Sequence, residues 1–151
     1  MLKIGEKLNS SIPKTLAAMK DRDDPALIQL IRDQAKGGAE YLDINTAMLG
    51  EAEPKELLRV VGMALKESTC GIMLDSPNID VLVQVLPHVG NRPVMVNSIA
   101  LDGRYDALLP LIRDTNAGVV CLPMADGRIP LDPRQRTDNA ESLADKLTKA
   151  G

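Results

Sequence analysis

What the chain lacks narrows its function before any motif is considered. It has no tryptophan and no phenylalanine, and only Tyr41 and Tyr105 carry large rings. A base-stacking platform for nucleic acid needs several aromatic side chains, so that class of function is nearly excluded. Basic residues number 18 against 21 acidic ones, for a formal charge of −3, and no basic stripe gathers them. That balance argues against nucleic acid or an anionic membrane surface as a partner. No apolar run approaches the ~18 residues of a membrane-spanning helix, and Met1-Leu2-Lys3-Ile4-Gly5 leads into a strand rather than a signal peptide. Cys70 and Cys121 lie far apart, each beside an apolar run, and read as buried free thiols of a reducing compartment. With His88 as the single histidine, no metal-ligand cluster is present, so no bound metal is expected. Neither G-x-G-x-x-G nor a Walker A sequence occurs, which leaves glycine-loop nucleotide binding unsupported. The expectation is a soluble, cytoplasmic protein whose partner is a small molecule or another protein.

What is present is a repeated unit. At 151 residues, 44% of them apolar, the chain suits one domain spanning 1–151, with a core of Leu, Val, Ile, Ala and Met. A first short strand is predicted over Leu2 to Gly5, ending in polar Glu6-Lys7-Leu8-Asn9-Ser10, with Asn9 and Ser10 in a loop. A helix follows from Asp23-Asp24-Pro25, with Leu27, Ile28, Ile31 and Ala35 on one face and Gly37-Gly38 as its stop. Strand two spans Glu40 to Asn45, and a second helix starts at Pro54. Strand three, Gly71 to Asp75, leads through Ser76-Pro77, a helix-start signature, into a helix from Asn78 to Leu86. Strand four is Val94 to Asn97, with a helix over Asp106 to Asn116 that must hold Pro110 in its first turn or kink there. Strand five is Gly118 to Leu122, followed by a long connection with an Asp126-Gly127 turn and a last amphipathic helix carrying Leu143 and Leu147.

Five strand–loop–helix units at a spacing of roughly 25 to 30 residues imply right-handed crossovers and a parallel sheet. An open doubly wound sheet and part of a TIM (β/α)₈ barrel both fit. Polar strand ends favour the barrel, because Asn9, Asp43, Asn45, Asp75 and Asn97 recur at successive ends, where residues converge on a barrel's top. Within strand two, Leu42 and Ile44 point one way and Asp43 and Asn45 the other. The fold class is therefore α/β, a parallel (βα)₅ portion of a TIM barrel, incomplete before a sixth strand. Its unpaired edges predict an oligomer or a marginally stable chain.

The clustered groups are carboxylates and amides without lysine, histidine or a nucleophile, a poor centre for covalent chemistry but a good hydrogen-bonding floor. A heterocycle with N–H donors beside a ring nitrogen and a carbonyl, such as a pterin, matches it. Asp75 alone has a second reading as a capping residue or an arginine partner, and Asn45 and Asn97 have one as loop braces.

The order Gly5-Glu6-Lys7-Leu8-Asn9, Leu42-Asp43-Ile44-Asn45, Leu74-Asp75-Ser76-Pro77-Asn78 and Val96-Asn97-Ser98 resembles the methyltetrahydrofolate:corrinoid protein methyltransferases, over essentially the whole chain. The resemblance implies a pterin-binding barrel that transfers the N5 methyl group of methyltetrahydrofolate to the cobalt of a corrinoid (cobalamin) held by a partner protein. By motif match Asp75 and Asn97 would hold the pterin, with Asn9, Asp43, Asn45 and Ser98 nearby. The family's assisting asparagine and a further pterin-binding aspartate belong to the barrel's second half and have no counterpart here. A dihydropteroate-synthase-like enzyme, a non-catalytic pterin-binding module and a purely structural α/β domain are the alternatives.

Overall fold

The computed structural model describes residues 1–101, 103–125 and 127–151. Five strands form one sheet in sequence order, β1 (Ile4–Asn9), β2 (Tyr41–Asn45), β3 (Gly71–Asp75), β4 (Val94–Leu101) and β5 (Gly118–Ala125). Every neighbouring pair is parallel, and β1 and β5 are the edges of a sheet that does not close. Helices α1 (Pro13–Lys20), α2 (Asp24–Lys36), α3 (Glu53–Glu67), α4 (Ile79–Val85), α5 (Leu109–Thr115) and α6 (Pro133–Ala150) fill the crossovers. This is the alternation of a partial TIM-type barrel.

Local chemistry accounts for most helix starts. Asp23 caps α2 by accepting from the Ala26 N–H, and Asp132 caps α6 by accepting from the Arg134 N–H. Pro110 sits in the first turn of α5, where its missing N–H costs nothing. The Ser76-Pro77 signature is corrected: the α4 cap is Asn78, whose side chain accepts from the Asp80 N–H. Ser76 Oγ instead accepts from the Asn78 N–H, a short side-chain turn that brings the chain out of β3 before the helix begins.

Other boundaries also move. β1 runs on to Asn9 rather than stopping at Gly5, because the polar Glu6-Lys7 pair occupies a register shift between Gly5 and Leu8. Helix α1 is an addition, an eight-residue helix with no side-chain cap, held by buried Met19 and by Thr15 Oγ1 donating to the Lys7 carbonyl at 3.0 Å. A 3₁₀ segment over Ala47–Ala52 likewise interrupts the loop after β2. Cys70 is buried as expected, but Cys121 is exposed, since β5 is an edge strand with no neighbour beyond it. The Asp126-Gly127 turn has its first residue outside the described residues.

The sheet is organised in rungs. Leu8, Ile44, Leu74 and Val96 are register partners across four strands, and all four are fully buried, together with Leu42, Ile72, Leu57 and Leu82. At the start of β3, Gly71 lies in register with Tyr41, and a β-carbon there would come within 2.5 Å of the Tyr41 ring. At the same end of the sheet Arg92 donates to the carbonyls of Leu65, Ser68 and Cys70, fastening the C-terminus of α3 to the approach of β3. An Arg92→Ala variant leaves those carbonyls without their charged donor and is expected to lose about 1.5–3 kcal/mol in chemical denaturation.

Candidate functional site

One rung of the ladder collects the polar strand ends. Asn9 is in register with Asn45, Asn45 with Asp75, and Asp75 with Asn97, so four residues from β1 to β4 lie side by side at the C-terminal edge. Side chains in one parallel rung share a face, so all four point together. With Ser98 they line a cavity of about 530 Å³, within the range usual for small-molecule sites. Met48, Tyr105, Leu122 and Met124 supply apolar wall around them. A smaller cleft of about 280 Å³ between α5 and α6 is lined by no acidic side chain among the described residues.

Asp43 is placed differently from its expected neighbours. Two residues back from Asn45 on the same face, it lies two rungs down, in register with Met73, which pairs in turn with Met95. It is 4% exposed and does not line the cavity, and it accepts from Asn97 Nδ2 at 3.4 Å. The sequence therefore names six residues of which five reach the cavity, and the sixth supports one of them from below.

Hydrogen bonds sort the remaining groups. Asn45 Oδ1 accepts from the Ser10 hydroxyl at 2.9 Å and the Ala47 N–H at 3.1 Å, which leaves Nδ2 to donate to Asp75 Oδ2 at 2.9 Å. Its amide orientation is thus set by its surroundings, and Asp75 keeps its other oxygen for a ligand. Asn9 Oδ1 is occupied by the Ser11 N–H, so for that oxygen the loop-brace reading holds. Two further supports escaped the sequence reading. Ser10, 1% exposed, also accepts from the Met48 N–H. Glu53, 5% exposed, accepts from Ser76 Oγ at 2.6 Å while its carbonyl accepts from Thr46 Oγ1. The only advance signal of Glu53 was its place before Pro54 at a helix start, where acidic residues are common on exposed surfaces too.

Burial pushes the Asp43 carboxyl from the ordinary 3.8 up to about 7, with the Asp75 and Glu6 charges adding to the shift and the Asn97 bond opposing it. Asp75 is also raised, first by burial and then by Glu6, while the bond from Asn45 acts the other way. Among the described residues no group of three or more His, Cys, Asp or Glu is placed to hold a metal ion, and no helix is long and apolar enough to cross a membrane. The arrangement can accept from N–H donors, present amides to a polar edge and store a proton.

Because Asp43 holds its proton more tightly folded than unfolded, its contribution to stability is complete below about 3.8 and is lost as the pH rises through about 7. Asp43→Asn removes the ionisation, so the variant is expected to melt above the wild type near pH 8.5, by a smaller margin near pH 5, and close to it only near pH 3.5 in paired thermal scans.

The chain resembles several known proteins along nearly its whole length. The chain is 27% identical over 152 residues to the methylcorrinoid:tetrahydrofolate methyltransferase of Eubacterium limosum, covering 99% of this chain and 56% of that protein. It is 29% identical over 155 residues to the methionine synthase of Mycobacterium leprae (strain TN), covering 98% of this chain and 13% of that one. The methionine synthase of Mycobacterium tuberculosis (strain ATCC 25618 / H37Rv) matches at 26% over a similar span. The chain thus spans about half the length of the first relative and a small part of the other two. The family model described as pterin binding enzyme matches residues 5–150, and with the polar rung at its strand ends the chain belongs to the pterin-binding enzymes.

Proposed function

We propose that the rung cavity binds the pterin ring of a folate and that the protein moves a methyl group between N5 of that folate and a corrinoid carried by a partner protein. The observation that carries this reading is the adjacency of Asp75 and Asn97, in register on neighbouring strands and both lining the cavity. A free carboxylate oxygen accepts from the ring's N–H groups. The Asn97 amide meets a neighbouring ring nitrogen or carbonyl, and Asn9 and Ser98 fill in the edge. Relatives named for methylcorrinoid:tetrahydrofolate methyl transfer and for methionine synthesis support the methyl-transfer class.

In either direction of transfer the chemistry at N5 is the same. When the methyl carbon leaves N5 for the corrinoid cobalt, the C–N electron pair stays on nitrogen, and a tertiary amine departs poorly unless that pair takes a proton or a strong hydrogen bond. When the methyl arrives, N5 attacks and gives its proton up. The residues of this chain do the binding and orienting. Asn45 and Ser10 hold the Asp75 carboxylate in one rotamer, and the Met48, Leu122 and Met124 side chains keep part of the wall apolar, which strengthens each hydrogen bond inside. The proton donor to N5 is assigned to none of them. With its sheet open along β1 and β5, the isolated chain is expected to bind a folate weakly, to associate through those edges and to transfer little methyl.

The test is titration calorimetry of methyltetrahydrofolate into the wild type and a folded Asp75→Ala variant. Removing a charge-assisted acceptor worth about 1.5–3 kcal/mol should weaken binding by roughly ten- to a hundredfold. A loss under about threefold would show that Asp75 is not the anchor, and an absence of binding by the wild type would overturn the pterin reading. Mixing the chain with methyltetrahydrofolate and a reduced corrinoid protein, with the cobalt spectrum followed, checks the transfer class.

A further inference from the structure

Asp43 has no direct contact with the cavity, yet it is buried with a single hydrogen-bond partner among the described residues, the side-chain amide of Asn97. The neighbouring β-strands bring two charged groups toward it, Glu6 from β1 and Asp75 from β3, and both are acidic. The residues in its own rung are Met73 and Met95, which offer neither a donor nor a countercharge. An ionised carboxylate in that position has one donor to satisfy it, Asn97 Nδ2. A protonated one has a hydrogen to place, and Asn97 Oδ1 is the acceptor brought within reach when the amide rotates by half a turn.

We propose that Asp43 is a protonatable positioning residue that decides which side of the Asn97 amide faces the cavity. With Asp43 ionised, the amide points its NH₂ inward and its carbonyl toward the ligand, so that the mouth carries two acceptors, Asn97 and Asp75. With Asp43 protonated, its O–H donates to the Asn97 carbonyl and the NH₂ turns to the ligand, which makes the mouth a donor beside an acceptor. Nothing is consumed in the exchange: one proton comes from solvent, and the amide only rotates. The fixed neighbour sharpens the contrast, because Asn45 is held by Ser10 and Ala47 on one side and Asp75 on the other and cannot turn in the same way. The shift of Asp43 toward neutrality puts the change inside the physiological range.

This inference rests on the pterin reading for its ligand but not for its mechanism, since the amide rotation belongs to the free protein. A heterocyclic edge that alternates donor and acceptor fits the donor-beside-acceptor state, so tetrahydrofolate is expected to bind about tenfold more tightly near pH 6 than near pH 8, the difference made by one correctly paired hydrogen bond. Asp43→Asn, which cannot ionise, should bind with an affinity that no longer changes between pH 6 and pH 8. In the ligand-free protein, NMR of the ¹⁵N-labelled side-chain amides should show the Asn97 resonances moving with a midpoint close to the Asp43 carboxyl titration, and standing still in Asp43→Asn.

The two readings fail separately. Absence of tetrahydrofolate binding with a normal Asn97 titration would remove the pterin ligand and support the switch. Binding that is flat in pH, or tightens as pH rises, or Asn97 resonances that ignore Asp43, would overturn the switch. Should Asp43→Asn not fold, the wild-type amide and carboxyl titrations decide alone: shared midpoints support the proposal and unrelated ones overturn it.

Discussion

Backbone register between parallel strands is the constraint on which the molecule depends. Side chains alternate along a strand, so a slip of one residue sends an entire polar row to the opposite face. The rung that opens on the cavity, Asn9-Asn45-Asp75-Asn97, follows directly on the rung Leu8-Ile44-Leu74-Val96, which is wholly buried on the helix side. Each of those aliphatic residues gains about 1.5–3 kcal/mol from burial, and a slip would expose all four while burying four polar groups. The core therefore sets the geometry of the site, although it touches none of it.

A second consequence of layering is that two carboxylates on one face live in different surroundings. Asp75 stands at the mouth with an amide donor and an open cavity in front of it, whereas Asp43 sits two residues deeper on the same face, in the layer of Met73 and Met95. Desolvation grows with depth, so the lower acid keeps its proton to a higher pH and the site avoids carrying two full negative charges in contact. The methionines matter here as much as the acids. A basic residue in that layer would hold Asp43 ionised.

Much of this is legible in the sequence. Strand β3 was read to its exact ends, because a run of Ile72, Met73 and Leu74 between Gly71 and Asp75 has few other uses. The alternation in β2 put Asp43 and Asn45 on one face correctly, but periodicity says which face and not how deep, and depth is what separates Asp43 from the rest. Where polar residues occupied a strand, as at Glu6 and Lys7, the reading stopped too early, since only the pairing with β2 makes that stretch a strand. Helix α1 has two buried residues in eight, too few to raise a periodic signal. Ser76-Pro77 misled for a different reason: the serine does satisfy an N–H, but in the turn before the helix. The buried supports Ser10 and Glu53 are defined by partners more than twenty positions away, which no local pattern contains.

The crowding of Gly71 against Tyr41 has a reach beyond its own neighbourhood. Gly71 and Asp75 are four residue steps apart, about 13 Å at the usual rise of a parallel strand. The two positions are the ends of one stiff rod, and the Tyr41 ring is the stop against which that rod is seated. A side chain at position 71 must displace either the Tyr41 ring or the rod itself, and a shift of the rod emerges at the other end as a carboxylate out of line with its neighbours. In a mutational scan scored on ligand capture, the bottom of β3 would register as part of the binding site, and the distant glycine would behave as its calibration point.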